Sequence, residues 1–348
     1  PMEQLPRLLD IPIVKYGDAE SNTPRGTGPY VLEDTAEGTV LVRRDNWWCD
    51  ARVPMTAERI VLMVGENPTQ IRDEFEFGDT GVSTADPGSA SYAAYRCDYE
   101  LWDAETGIFL YIGCNIESKV FSQAQVRVAL SYAIDRAMLL SSCYNGFGAA
   151  ATLPASPKSV FYDQTLARQV TFDPEMLRNA LAEASMMGRT VKLLVNMEDS
   201  VRLQAARKVA QMLTDCGLNV ELLECSYSDY RAVLRDGSFD LYLGQTKLSP
   251  NMDLSAFFEE GGSLSWGGMA NAACLDMCEE ALENSGNYYN LHQMVLRNSQ
   301  LIPVLFRSYA VYADRGVGTG MEPSRDNVFY YSMGKTMEEA RSVVPNEA

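Results

Sequence analysis

The chain has 348 residues, 46% of them hydrophobic and 22% charged, which leaves room for two or three domains with cores of their own. Its formal net charge of −18 repels phosphate backbones, and its densest basic run, Arg202 to Lys208, reads as the outer side of one helix, so nucleic acid is excluded as a partner. The single histidine, His292, rules against a multi-histidine metal centre or a Ser-His-Asp triad, and no apolar run is long enough to span a bilayer.

In chain order, the first landmark is "RGTGPY", Arg25 to Tyr30. A phosphate loop would need a strand before it and a helix after it, with free N–H groups at the helix start. Here Pro29 removes a donor and an apolar strand follows, so the stretch reads as a turn in which Gly26 and Gly28 relax the backbone. Val31 to Glu33 and Thr39 to Arg43 read as two strands about a turn at 35–38. Arg59 to Asn67 and Gly107 to Asn115 are further apolar, β-branched strands, which makes this first section β-rich with few helices.

At Ser122 the period changes. Val126, Ala129, Leu130, Ala133, Ile134 and Ala137 form one helical stripe, with Ser122 expected to cap the first turn and Gln125 to reach back to it. Gly146 and Gly148 release the chain into a proline-bearing loop. From Phe172 helices and strands alternate. Asp173 is expected as an N-cap, Pro174 as the first helical residue and Gly188 as the stop. There follow a strand in "VKLLVNM", a helix with Val201, Ala205, Val209, Met212 and Leu213 inward, and a strand in "LNVELLEC". A short helix in "SDYRAVLRDG", a strand from Phe239 to Leu243, a helical region from about 271 to 299 and a last strand in "IPVLFRSYAVYA" complete the series. This β-α-β-α-β order predicts a mainly parallel sheet covered by helices.

Several side chains invite chemical readings that a structural role answers as well. His292 reads as a surface or packing residue. The eight cysteines form no CxxC pair, and Cys274 and Cys278, four apart on one helix face, read as buried free thiols rather than zinc ligands. Trp47 and Trp48 could form a sugar platform, but packing at a strand end is the preferred role. Asp135 and Arg136 are adjacent on a helix and point apart, which favours capping and salt-bridge duty over an acid/base pair. The chain contains neither a Gly-x-Ser-x-Gly nucleophile elbow nor a Gly-x-x-x-x-Gly-Lys-Ser/Thr phosphate loop, so no catalytic residue, metal site or cofactor is assigned and an enzyme is not expected.

Together, "GTGPYVLED", "VRRDNWW", "FGDTGVST", "GCNIESKVFSQAQVRVALSYAIDRAMLL", "LAEASMMG", "RLQAARKVAQMLTDCGLNVELLE", "YSDYRAVLRDGSFDLYL" and "IPVLF" occur in an order that covers most of the chain from about Arg25 to Tyr312. This series resembles the extracytoplasmic solute-binding proteins of ABC transporters in the peptide/nickel (family 5) group, relatives of the dipeptide- and oligopeptide-binding proteins. Three features depart from that pattern. GTGPY falls at Gly26, earlier than the family places it, so the chain is expected to be N-terminally truncated or excised. The family's aspartate for a peptide amino terminus is replaced in "GQTKLSPNMD" by Ser249, with Lys247 nearby, and Lys247 serves an ammonium poorly. The eight cysteines are many for an exported protein.

The resemblance implies an α/β fold of the type II periplasmic-binding-protein kind, two lobes joined by a hinge, with the first lobe incomplete. Residues 1–118 would be part of lobe I, 119–305 the second lobe and 306–348 the return to lobe I, with hinges near Ser118 and Phe306. It implies a non-enzymatic monomer that captures a peptide or other small solute between its lobes and delivers it to ABC permease subunits. Such a protein is extracytoplasmic, periplasmic or a cell-surface lipoprotein held only by a lipid anchor on the missing N-terminus. The alternative is a ligand-sensing domain of a regulator or receptor with the same fold. Ligands of open α/β sheets meet the carboxyl ends of strands, so "GQTK" after the strand ending at Leu243 should place Gln245, Thr246 and Lys247 at the ligand. Matching the family pattern adds Ser249, Tyr227 as an aromatic wall, Trp266, and Arg307 as a cationic contact.

Overall fold

The computed structural model describes residues 8, 13–18, 20–21, 23–36, 38–52, 55, 57–88 and 99–315. The chain divides into two compact units, one built on Thr106–Ser308 and the other on Asp10–Glu105 with the chain from Tyr309. The backbone passes from one to the other within a long strand, β5 (Tyr99–Cys114), and again within β10 (Leu301–Asp314).

In the unit that contains the early strands, β1 (Tyr30–Thr35), β2 (Gly38–Arg43) and β3 (Arg59–Leu62) form an antiparallel sheet in that order, with Tyr30 opposite Arg43 and Thr35 opposite Gly38. The strand expected to run to Asn67 stops at Leu62, because Asn67 caps a helix, α1 (Pro68–Phe77), and accepts from Gln70 N. That helix carries only one buried residue, Phe75, so its apolar stripe is too thin to show in the sequence. β4 (Val82–Ala85) pairs antiparallel with Ala310 to Ala313.

RGTGPY is a turn, held from outside. Gly26 bridges Val14, and a Cβ on Gly26 would sit 3.2 Å from Ile13 O. Neither Gly26 nor Gly28 has a left-handed φ, so close approach rather than backbone freedom explains Gly26. Both indoles bear on the same oxygen: Trp47 and Trp48 donate to Thr27 O at 2.9 and 3.0 Å. Arg44 donates to Gly26 O at 2.9 Å. Packing at a strand end was the expectation for the tryptophans, but Trp48 is 76% exposed and instead anchors the turn.

The second unit holds the larger core. Its parallel strands are β7 (Thr190–Asn196), β8 (Asn219–Cys225) and β9 (Leu241–Lys247), with β7 between the other two. Beyond β9 lie β5 and then β10, and a short strand, β6 (Gly148–Ala150), pairs with β10. The sheet is mixed rather than mainly parallel, since β5 meets β9 antiparallel and so does β6 with β10. The regular β-α-β alternation that implies parallel pairing covers only β7 to β9; the other strands arrive from distant parts of the chain.

The helices are α2 (Ala124–Tyr132), α3 (Arg136–Cys143), α4 (Gln164–Ala167), α5 (Pro174–Glu183), α6 (Ser200–Asp215), α7 (Tyr227–Asp236), α8 (Ser255–Phe258), α9 (Ala272–Glu283) and α10 (Tyr288–Asn298). The single stripe read from Ser122 is two helices, broken where Asp135 accepts from Met138 N and caps α3. The expected cap also differs: Gln123 stands at the N-cap without a side-chain capping bond, Ser122 Oγ turns back to Lys119 O, and Gln125 donates to Gln123 Oε1. Asp173 and Pro174 start α5 as expected, but the helix ends at Glu183 and Gly188 serves the turn into β7 instead. In α6, Val201, Ala205, Val209 and Leu213 are buried against one sheet face together with Leu193 and Val195 of β7. The other face packs Tyr242, Phe257, Cys274, Cys278 and Leu291.

At the sheet centre two tyrosines lie over two glycines. Tyr111 is opposite Gly244 and Gly113 opposite Tyr242, and each ring fills the space of the missing Cβ. No disulfide forms among the described cysteines, and Cys274 and Cys278 are buried thiols as read from sequence. His292 is a packing residue, fully buried on α10 with its ring edge-on to Tyr288. Among the described residues no helix is long and apolar enough to cross a membrane, and no cluster of three metal-ligating side chains occurs.

Candidate functional site

β7, β8 and β9 run parallel, so their carboxyl ends share one edge of the sheet in the Thr106–Ser308 unit. A connected polar network gathers there. Arg307, projecting from β10 and only 5% exposed, donates from Nη1 to Gln245 Oε1 at 2.9 Å and to Asp199 Oδ2 at 3.3 Å. Its guanidinium carbon lies 5.2 Å from the ring centroid of Tyr144, a cation–π distance. Asp199 also caps α6, where its Oδ1 accepts from Arg202 N at 3.0 Å. Arg202 in turn donates to Asn196 Oδ1 at 2.6 Å, and Asn196 donates to Glu198. Glu198 closes the chain by accepting from Tyr227 N at 2.8 Å.

Local sequence explains this convergence. "NMEDS" runs from the last residue of β7 to the first of α6, so its Asn, Glu and Asp stand at a strand's carboxyl end and a helix's amino end together. The hydrogen bond from Tyr227 N holds the Glu198 carboxyl below the usual carboxylate range. Burial pushes the Tyr144 phenol up, against the pull of Arg307. A buried arginine that meets a carboxylate, an amide oxygen and an aromatic face among its partners is a fixed positive centre with directional donors, suited to a polar or anionic group.

The residues expected from sequence fare unequally. Gln245 and Arg307 meet directly. GQTK is not a loop beyond the strand but the second half of β9, paired from Gly244↔Tyr111 to Lys247↔Ile108. Strand alternation therefore sends Thr246 to the opposite face from Gln245 and Lys247, so the three cannot share one ligand surface. Lys247 lies exposed at the strand end. Tyr227 enters the network through its backbone, and the residue is 58% exposed. Ser249 is taken up by its own turn, donating to Asn251 Oδ1 at 2.5 Å. Trp266 stacks under Arg231, whose guanidinium carbon is 5.4 Å from the ring. Asn196, Glu198, Asp199, Arg202 and Tyr144 were not anticipated. The strand-end rule applied to β9 would have found the first three had it been applied to β7 also.

Residues 2–266 match the family described as bacterial extracellular solute-binding proteins, family 5 Middle. The chain belongs to that family. Among curated relatives, 178 residues are 29% identical to heme-binding protein A of Haemophilus influenzae, covering 49% of this chain and 32% of that protein. Over 243 residues it is 23% identical to di/tripeptide-binding protein 1 of Pseudomonas aeruginosa, covering 66% of this chain and 44% of that protein. The chain thus spans less than half the length of either. Among solved structures it is similar to HbpA2 from Haemophilus parasuis, with a TM-score of 0.74 at 18% identity, 89% of this chain and 63% of the other. AppA from Clostridium difficile gives 0.72 at 16% identity over 89% and 66%. These likenesses bear out the expected family and the expected α/β fold of two-lobed binding proteins.

Proposed function

We propose that this chain is the ligand-holding part of the solute-binding component of an ABC importer, which captures a peptide or similar small solute and hands it to a membrane permease. Membership of family 5 carries the reading. The Arg307–Gln245–Asp199 network supplies the chemistry, a buried cation whose donors are fixed before any ligand arrives. The protein acts as a binder and not as a catalyst, outside the cytoplasm, as a monomer. Tyr227 and Lys247 are exposed contacts at the same strand ends, and Arg307 and Gln245 are the inner ones.

Isothermal titration calorimetry and thermal-shift assays on the full-length protein, with trialanine, reduced glutathione and haem as first probes, test this. A saturable heat and a raised melting temperature with one probe are expected, both weakened in Arg307→Met. Absence of binding across peptides, amino acids, metal chelates and sugars overturns it.

A further inference from the structure

Arg136 is a buried cation that no carboxylate partners among the described residues. It is 6% exposed, and every acceptor of its guanidinium is a carbonyl or hydroxyl oxygen. Nη1 reaches Ser131 O at 2.9 Å and Ile134 O at 3.4 Å, and Nη2 reaches Ser131 Oγ at 3.0 Å, which ties the end of α2 to the start of α3. Nε reaches in the other direction, to Ala151 O at 3.0 Å and Pro303 O at 2.9 Å.

Those two carbonyls mark the end of a strand ladder. β6 pairs with β10 from Gly148↔Arg307 to Ala150↔Leu305, and Ala151 N continues it to Val304 O at 3.0 Å. The next residue of β10 is Pro303, which has no N–H to give, and its carbonyl and that of Ala151 both accept from Arg136. Arg136 thus joins the two strands just past their paired residues. The same short segment, from Arg136 to Ala151, also carries Tyr144, whose ring lies on Arg307, and Gly148, where a Cβ would be 2.3 Å from Phe306 O.

We propose that Arg136 is a positioning residue for the ligand site: by clamping the end of the β6–β10 ladder it sets the register that places Tyr144 and Arg307 against each other. This rests on the binding role proposed for Arg307. Lysine cannot replace it, since a single ammonium on a flexible stem cannot span α2, β6 and β10 in one plane.

Two measurements on the full-length protein separate this inference from the reading beneath it. Hydrogen exchange by mass spectrometry needs no ligand: in Arg136→Lys, segments 146–151 and 303–308 should lose protection while the β7–β8 pair keeps it. Trialanine titration follows, at a temperature where every variant is folded. Arg136→Lys is expected to weaken binding roughly tenfold, about the worth of one net hydrogen bond, and to add little to Arg307→Met in the double variant. Unchanged exchange at 146–151 and 303–308 overturns the clamp, and additive losses in the double variant overturn its action through Arg307. If the wild type binds nothing across peptides, amino acids, metal chelates and sugars, the importer reading is what fails, and the exchange result still decides the clamp.

Discussion

His292 offers a test of the core in which nothing else of its kind interferes, because it is the only histidine in the chain. Its ring is fully buried on α10, edge-on to Tyr288 at 5.9 Å, and neither ring nitrogen has a hydrogen-bond partner among the described residues. Burial lowers its pKa from the ordinary 6.5 to about 4, with the Asp163 carboxylate opposing weakly. A base that is harder to protonate when folded takes up its proton first in the unfolded chain. Stability is therefore full above pH 6.5, falls as the pH drops below that, and stops falling once the folded ring also protonates near 4. Between pH 7 and pH 5 the loss is about 2 kcal/mol, at about 1.4 kcal/mol for each unit between the unfolded pKa and the working pH. Urea unfolding at the two pH values, compared between the wild type and His292→Leu, isolates this from the many carboxylates that titrate in both. The wild type should lose about 2 kcal/mol more than the variant over that interval. An NMR titration of the Cε1–H resonance gives the folded pKa directly. A ring that titrates near 6.5 in the folded protein, or equal pH slopes in the two proteins, refutes the burial argument.

Three further outcomes follow from the same structure. Gly244→Ala puts a methyl 2.4 Å from the Tyr111 ring, and with that ring enclosed by Tyr242 and Phe257 the change should cost about 1–3 kcal/mol in urea unfolding; an unchanged midpoint contradicts the ring-over-glycine packing. Among the described cysteines, a thiol reagent should modify Cys49 and Cys225 first in the native protein, because Cys114, Cys143, Cys216, Cys274 and Cys278 are buried and burial pushes the Cys114 and Cys278 thiols up to about 12. Mass mapping of labelled peptides checks the order, and fast native labelling at Cys114 would count against it. Asp135→Ala removes the cap between α2 and α3 and should lower stability by about 1 kcal/mol, read from the thermal midpoint, whereas Ser122→Ala should leave it unchanged.

Much of the fold was legible because its signals are local. The 3.6-residue stripe of Val201, Ala205, Val209 and Leu213, and the Asp173–Pro174 start of α5, depend on neighbours a few positions away. The division at Asp135 was not visible, since Ala133 and Ile134 are buried like the residues of the stripes on either side and only a cap bond reveals the break. The candidate site was legible in part. Arg307 came from the family pattern and Gln245 from the strand-end rule, but the continuation of β9 through Lys247 depends on its pairing with β5, more than a hundred positions earlier in the chain. That pairing, not the composition of GQTK, separates Thr246 from Gln245.

By itself the sequence determined the family, the alternation of helix and strand from Phe172 onward, and the turn at RGTGPY, all of which rest on residue type and short spacing. Only the tertiary structure decided what holds that turn and what surrounds the buried arginines. Trp47 and Trp48 meet Thr27 from twenty and twenty-one positions away, and Arg136 meets Pro303 from 167. A guanidinium can satisfy itself with a carboxylate or with the carbonyls of two neighbouring strands. Which of these it finds is set by strands that the folding of the whole chain brings together.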